Sequence, residues 1–425
     1  MHRWIVLAFD MTTTVPTGCD NNENAPVQGG ILRSPGFARL LAVDLVNPLG
    51  DAMATTALIL HVQQRGGSGT AIAGILVAEA VPPLLSPLTG TIADRVRDPR
   101  RLLAVGMVLQ SIVVLALAAT LAGDDSTPLA VITVLVFLRA AIATAELPAL
   151  GAAVPAVVDD ANLERANGLL VGAREVGVVI GPPIAGVIVA TSTASVALVI
   201  DAITFLAVTP VVLTLPALAA DRLPTTTKWM EDVRAGLTFV WRTPAVRAIA
   251  LGFWLLVFAS AADDLIVVFL AVDVHDAGPI GAGILLAAAS AGVIVGMTTV
   301  TGASRRATNT ALVLIGFAGA STGNLLTAVA PTLVAAVAAQ VLRGVFIPIA
   351  DVAVRSHLQR TAPPAMLGRA LANMYGGVSA AAAFGYVVGG PLLDATSPRV
   401  AMAWVGLGGY TATGVTLVLL RRARR

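Results

Sequence analysis

The chain has 425 residues, 56% hydrophobic and 12% charged, with a formal net charge of +2 and a mean hydropathy of +0.85. Soluble domains carry about 25% charged residues, so this chain belongs in lipid, and its small net charge gives no support to a nucleic-acid partner. The single cysteine, Cys19, excludes an intramolecular disulfide and a cysteine-based zinc cluster, and four scattered histidines predict no metal site.

Residues 1–35 read as a cytoplasmic tail, polar and rich in Gly, Pro and Asn after the short apolar stretch Trp4–Phe9. That stretch is too short for the apolar region of a signal peptide. The tail is expected to be disordered.

Apolar segments then follow at 37–62, 69–92, 102–122, 128–150, 165–190, 194–216, 246–272, 278–301, 309–329, 331–354, 369–392 and 399–420. Each is long enough to cross a hydrocarbon core about 30 Å thick. The expected fold class is therefore an all-α membrane protein with twelve transmembrane helices. Charge placement supports this count. With the N-terminus inside, 22 of the 27 Lys and Arg residues fall in tails and cytoplasmic loops. Arg65 and Arg399 fall outside, and Arg139, Arg174 and Arg343 lie within spans. Positive residues stay on the cytoplasmic side, so both termini are expected there. One lysine against 26 arginines, with abundant Ala, Val and Gly, suggests a GC-rich bacterial genome and hence a bacterial inner membrane.

The polar stretch 217–245 divides the spans six and six, giving bundles at 36–216 and 246–420 and a basic tail at 421–425. It mixes Lys228, Glu231, Asp232, Arg234 and Arg242 with Trp229, Leu237, Phe239 and Trp241. That pattern predicts an amphipathic helix on the inner membrane surface, ended by an Arg-Thr-Pro break.

The two halves repeat. A shift of 204 residues places Arg165-Ala166 on Arg369-Ala370, Leu138-Arg139 on Leu342-Arg343, Gly181 on Gly385 and Gly186 on Gly390. A shift of 205 places Arg100-Arg101 on Arg305-Arg306. Two pseudo-symmetric six-helix bundles follow, with a substrate site between them near mid-membrane.

Charges at lipid depth are functional candidates by default, because each costs at least about 2.5–3.5 kcal/mol to insert. They are Asp51, Glu79, Arg139, Glu146, Arg174-Glu175, Asp201 and the adjacent pair Asp263-Asp264. Glu146 lies seven residues after Arg139, on nearly the same helix face. This spacing allows an Arg139–Glu146 interaction through a water. Asp44, near the cytoplasmic end of the first span, is expected to be a gate residue or exposed.

Between the second and third spans lies Gly90–Arg101, GTIADRVRDPRR. With Gly90, Asp94, Arg95, Arg100 and Arg101 it resembles the loop motif G-x-L-a-D-r-x-G-r-r of the major facilitator superfamily, without the second glycine. Gly177-x-x-x-Gly181-Pro182-Pro183-x-x-Gly186 resembles the antiporter motif G-x-x-x-G-P-x-x-G-G, with Ala185 for one glycine. The Gly50-Asp51 pair, the run Asn162–Gly168 and the run Gly236–Pro244 resemble the drug-exporting twelve-helix branch that includes macrolide and siderophore exporters.

This resemblance implies a major facilitator fold working by alternating access. It implies a cytoplasmic gate at Gly90, Asp94, Arg95, Arg100 and Arg101, packing on the start of span eleven near Arg369. It also implies proton transfer at Arg139. The expected function is efflux of small amphiphilic molecules, drugs or siderophore-like metabolites, by proton antiport. The alternatives are a dedicated exporter of one endogenous metabolite and, less favoured, a non-transporting sensor or scaffold. No cofactor is expected and a monomer is. No P-loop, HExxH or G-x-S-x-G is present, so neither direct ATP drive nor enzymatic activity is expected.

Overall fold

The computed structural model describes residues 34–85, 98–123, 128–159, 162–215 and 229–423. Fourteen α-helices fill them: α1 (Pro35–Gln64), α2 (Gly69–Ala80), α3 (Pro99–Ala122), α4 (Leu129–Val157), α5 (Leu163–Thr191), α6 (Ala194–Leu213), α7 (Trp229–Arg242), α8 (Pro244–Ser260), α9 (Asp263–Phe269), α10 (Gly278–Arg306), α11 (Asn309–Val329), α12 (Leu333–Thr361), α13 (Pro364–Ala395) and α14 (Pro398–Ala423). No strand occurs among the described residues. Residues 1–33 of the N-terminal tail and the gate residues Gly90, Asp94 and Arg95 lie outside them.

Among the described residues, eleven segments are long and apolar enough to span a membrane, and a shorter apolar helix, Gly69–Leu84, marks the second of the expected spans. In a bilayer every backbone polar group must bond within the chain, which leaves helices as the solution for such segments. Their starts follow local rules. Ser68, Thr308 and Thr332 cap α2, α11 and α12 through their hydroxyls, and Asp98 caps α3 ahead of Pro99. Outward faces are apolar, as at Val105, Leu109 and Ile112 on α3 and Val400, Trp404 and Leu407 on α14. A lipid-covered surface requires this.

Helix pairing repeats between the halves. In the first half α1 packs on α5 and α6, α3 on α4 and α6, and α2 on α4. In the second, α8 packs on α13 and α14, α11 on α12 and α14, and α10 on α12. Two seams join the halves, α5 against α10 and α2 against α13. The glycines noticed in the repeat explain how the helices approach. A Cβ on Gly181 would lie 2.7 Å from the Leu49 carbonyl oxygen of α1, and one on Gly385 would strike the Phe258 carbonyl of α8. Gly186 meets Pro279 across one seam, and its repeat partner Gly390 meets Gly69 and Ala73 across the other.

Two expectations change. Span seven is broken: α8 ends at Ser260 and α9 starts at Asp263, followed by a π-helical turn, Leu270–Val274. Span ten runs on to Thr361, so Arg355, expected in a loop, is buried over the Tyr375 ring at 5.3 Å. The stretch between the halves is helical as α7, exposing Val233, Leu237 and Trp241 on one side. Gly236 packs on the backbone of Arg369 on α13.

Candidate functional site

The first half is organised around Arg139, mid-way along α4 and 7% exposed. Its Nη1 donates to Asp51 Oδ1 of α1, and its Nη2 donates to Glu79 Oε1 of α2 at 2.5 Å. One guanidinium therefore ties three helices. Its rigid fork suits two carboxylates at once. Thr55 donates to Glu79 at 3.5 Å. Glu79 is buried, whereas the Asp51 side chain is 42% exposed and is the open member of the trio.

Two further acids stand beside this centre. Asp201 of α6 is fully buried against Gly50, where a Cβ would strike its Oδ1, and its Oδ2 accepts no hydrogen bond. It lies within electrostatic range of both Asp51 and Arg139. Glu146 does not pair with Arg139. Both of its oxygens instead accept from Gln110 Nε2 of α3, each at 3.1 Å, in a niche left by Gly106. Seven residues along a helix are about 10 Å, and Arg139 is already held by neighbouring helices. Gln110 was missed because a lone uncharged polar residue in an apolar span carries little signal.

The second half has one smaller counterpart. Arg343 of α12, the repeat partner of Arg139, donates to Asp263 Oδ2 at 2.9 Å. Gln340 donates to Asp263 Oδ1 at 3.4 Å and accepts from Arg343 at 3.3 Å. Asp263 is 2% exposed at the first turn of α9, just past the break, and Asp264 beside it is half-buried. Arg343 and Gln340 belong with the site. The repeat onto Arg139 was the signal that pointed to Arg343.

Other charged residues serve the framework. Asp44, expected to be a gate residue or exposed, is buried and accepts from Arg174 Nη2 of α5 at 3.2 Å. Asp351 is buried, accepting from the Tyr375 hydroxyl at 2.7 Å, with Arg355 at 3.8 Å. Of the expected gate residues, Arg100 is tied within its own half. It donates to Asp98 at 3.0 Å and to the Leu215 carbonyl at 2.8 Å. Bonded to Arg100, Asp98 has its pKa held below the ordinary carboxylate value. Arg101 is exposed, 3.8 Å from Asp98. In the glycine–proline stretch, α5 runs unbroken through Pro182 and Pro183. Gly177 and Gly181 face α1, while Pro182 and Gly186 face α10.

Three acids, Asp51, Glu79 and Asp201, gather around one arginine at lipid depth, and Glu146 stands apart on Gln110. No group of His, Cys, Asp and Glu able to hold a metal occurs among the described residues. Helices that span a bilayer, repeated in two halves and enclosing such a cluster, define a polytopic membrane transporter.

The comparisons agree. The sequence model of the family described as transmembrane secretion effector matches residues 29–421, and the chain belongs to this family within the major facilitator superfamily. It is 27% identical over 407 residues to the multidrug efflux pump Tap of Mycolicibacterium fortuitum, covering 91% of this chain and 95% of that one. Its fold matches a variant of the nucleoside transporter NupG with a TM-score of 0.74 at 12% identity, covering 91% of this chain and 98% of the other. A POT family transporter in complex with a thioalcohol-conjugated peptide matches with a TM-score of 0.73 at 13% identity, covering 92% and 97%. The chain is a multi-pass membrane transporter of the major facilitator superfamily and not an enzyme.

Proposed function

We propose that this protein exports small amphiphilic molecules in exchange for protons by rocking its two halves, 36–216 and 246–420, about a central site. The single observation that carries the reading is Arg139 held at once by Asp51 and Glu79. One arginine neutralises one carboxylate. The second, with Asp201 close by, must be neutralised by a proton or a cationic substrate, because an uncompensated charge at this depth is costly. Asp51, the open member, is the group that exchanges its proton for substrate. Likeness to a multidrug efflux pump and the Gly177–Gly186 stretch both support outward transport.

In this reading both termini lie in the cytoplasm of a bacterial cell, the inner membrane holds the protein as a monomer, and Gly90, Asp94, Arg95, Arg100 and Arg101 gate the cytoplasmic side. The structure then represents an inward-facing state. Among the described residues, the inter-half hydrogen bonds and glycine contacts gather at the end opposite the termini. The test is efflux of ethidium from cells, with and without a protonophore. Protonophore-sensitive efflux that Asp51→Asn abolishes supports the reading. Absence of efflux, with the protein confirmed in the membrane, contradicts it.

A further inference from the structure

We infer that Asp394 is the latch that holds the two halves together at the end away from the termini, a further residue of the transport cycle. This rests on the alternating-access reading, though not on the identity of the substrate or the proton sites.

Asp394 sits in the last turn of α13, in the second half. The start of α2, in the first half, faces it. Asp394 Oδ1 accepts from the backbone N–H of Gly69 at 2.6 Å. Its Oδ2 accepts from the Thr70 N–H at 2.9 Å and from the Thr70 hydroxyl at 2.5 Å. The first four N–H groups of a helix have no partner within it. In α2 the Ser68 hydroxyl takes one, the N–H of Ala71. Asp394 takes two more, from 324 and 325 residues away. The cap of α2 is thus completed only by the opposite half.

The charge supports the same assignment. A carboxylate in the last turn of a helix faces the negative end of that helix's dipole, which is unfavourable. Asp394 is misplaced in α13 and well placed only for the positive end of α2. The fit is close because both helices are bare here. A Cβ on Gly69 would come 3.0 Å from the Gly390 carbonyl oxygen, and one on Gly390 would come 2.6 Å from Ala73 Cβ. Near the other seam, Gln63 Nε2 donates to Asp273 Oδ1 at 2.9 Å, again between halves. Asp273 does not cap a helix N-terminus, so the Asp394 contact is the stronger tie. Outward opening must break all of these bonds, leaving the Gly69 and Thr70 donors to water.

The experiment is a distance measurement between spin labels at Gln64→Cys and Thr396→Cys, on full-length Cys19→Ser protein in lipid nanodiscs. Asp394→Ala should lower the closed-to-open ratio roughly 2- to 30-fold, the range spanned by loss of a helix cap. Asp394→Asn retains one acceptor and should shift it less. Gly390→Trp, which wedges the seam, supplies the open reference. Circular dichroism confirms that each variant is folded. Longer distances in Asp394→Ala support the latch. Distances unchanged in Asp394→Ala but lengthened in Gly390→Trp overturn the latch and leave alternating access standing. Distances unchanged in both overturn the latch and alternating access together.

Discussion

In the first half Arg139 reaches two carboxylates, Asp51 and Glu79, whereas its repeat partner Arg343 reaches one, Asp263, and fills its remaining reach with Gln340. Asp51 is 42% exposed on its side chain; Asp263 is 3% exposed. Both arginines stand on the fourth span of their half, and both acids on the first. The first centre has surplus acid and an open member. In the second, one arginine is paired with one sealed acid. On the proposed reading the same layout serves exchange of charge in one half and fixed packing in the other.

Removing the arginines should separate these uses most strongly. Arg139→Ala leaves two ionisable carboxyls without their cation, and losing one partner of a buried pair costs about 3–5 kcal/mol. Arg343→Ala strands one acid that Gln340 still bonds, and should cost less. Thermal unfolding in detergent compares them. Equal losses would show that the second acid of the first centre adds nothing.

The glycine repeat gives the next effect. Gly181→Leu and Gly385→Leu force side chains against the backbones of α1 and α8, at a cost of about 1–3 kcal/mol each. Gly172, also in α5, has nothing within 4 Å of an added Cβ. Gly172→Ala should therefore stabilise by about 0.5–1 kcal/mol through helix propensity. Melting of the three variants side by side is the check, and similar destabilisation by all three would contradict the packing account.

The smallest effect concerns pH. The Asp98 pKa is held below its ordinary value of 3.8 by its hydrogen bond to Arg100. A lowered carboxyl contributes stability above its unfolded pKa and loses it as pH falls through the folded one. The wild type should lose a small increment below about pH 4. Asp98→Asn, which keeps the cap but not the charge, should lack that increment in melts at pH 7 and pH 3.5.

The fold was legible because its signals are local. Twenty-residue apolar runs and the side preference of arginine need no knowledge of tertiary contacts. The expense of charge in lipid marked Asp51, Glu79, Arg139 and Asp263 individually. Their pairings were less legible, since those depend on which helices touch. Face periodicity brought Glu146 near Arg139, but the guanidinium reaches sideways to α1 and α2 instead. Asp44 looked peripheral because its partner, Arg174, lies 130 residues away. Asp394 gave no signal, for its meaning lies in the start of a helix in the other half.

The central claim is that proton exchange resides at Asp51 and not at Asp263. The most direct measurement is ethidium exchange in proteoliposomes driven by an imposed pH gradient, with Asp51→Asn and Asp263→Asn compared per folded molecule. The account predicts that Asp51→Asn still equilibrates the dye but loses gradient-driven accumulation, while Asp263→Asn keeps it. Gradient-driven accumulation retained in Asp51→Asn and lost in Asp263→Asn would contradict it.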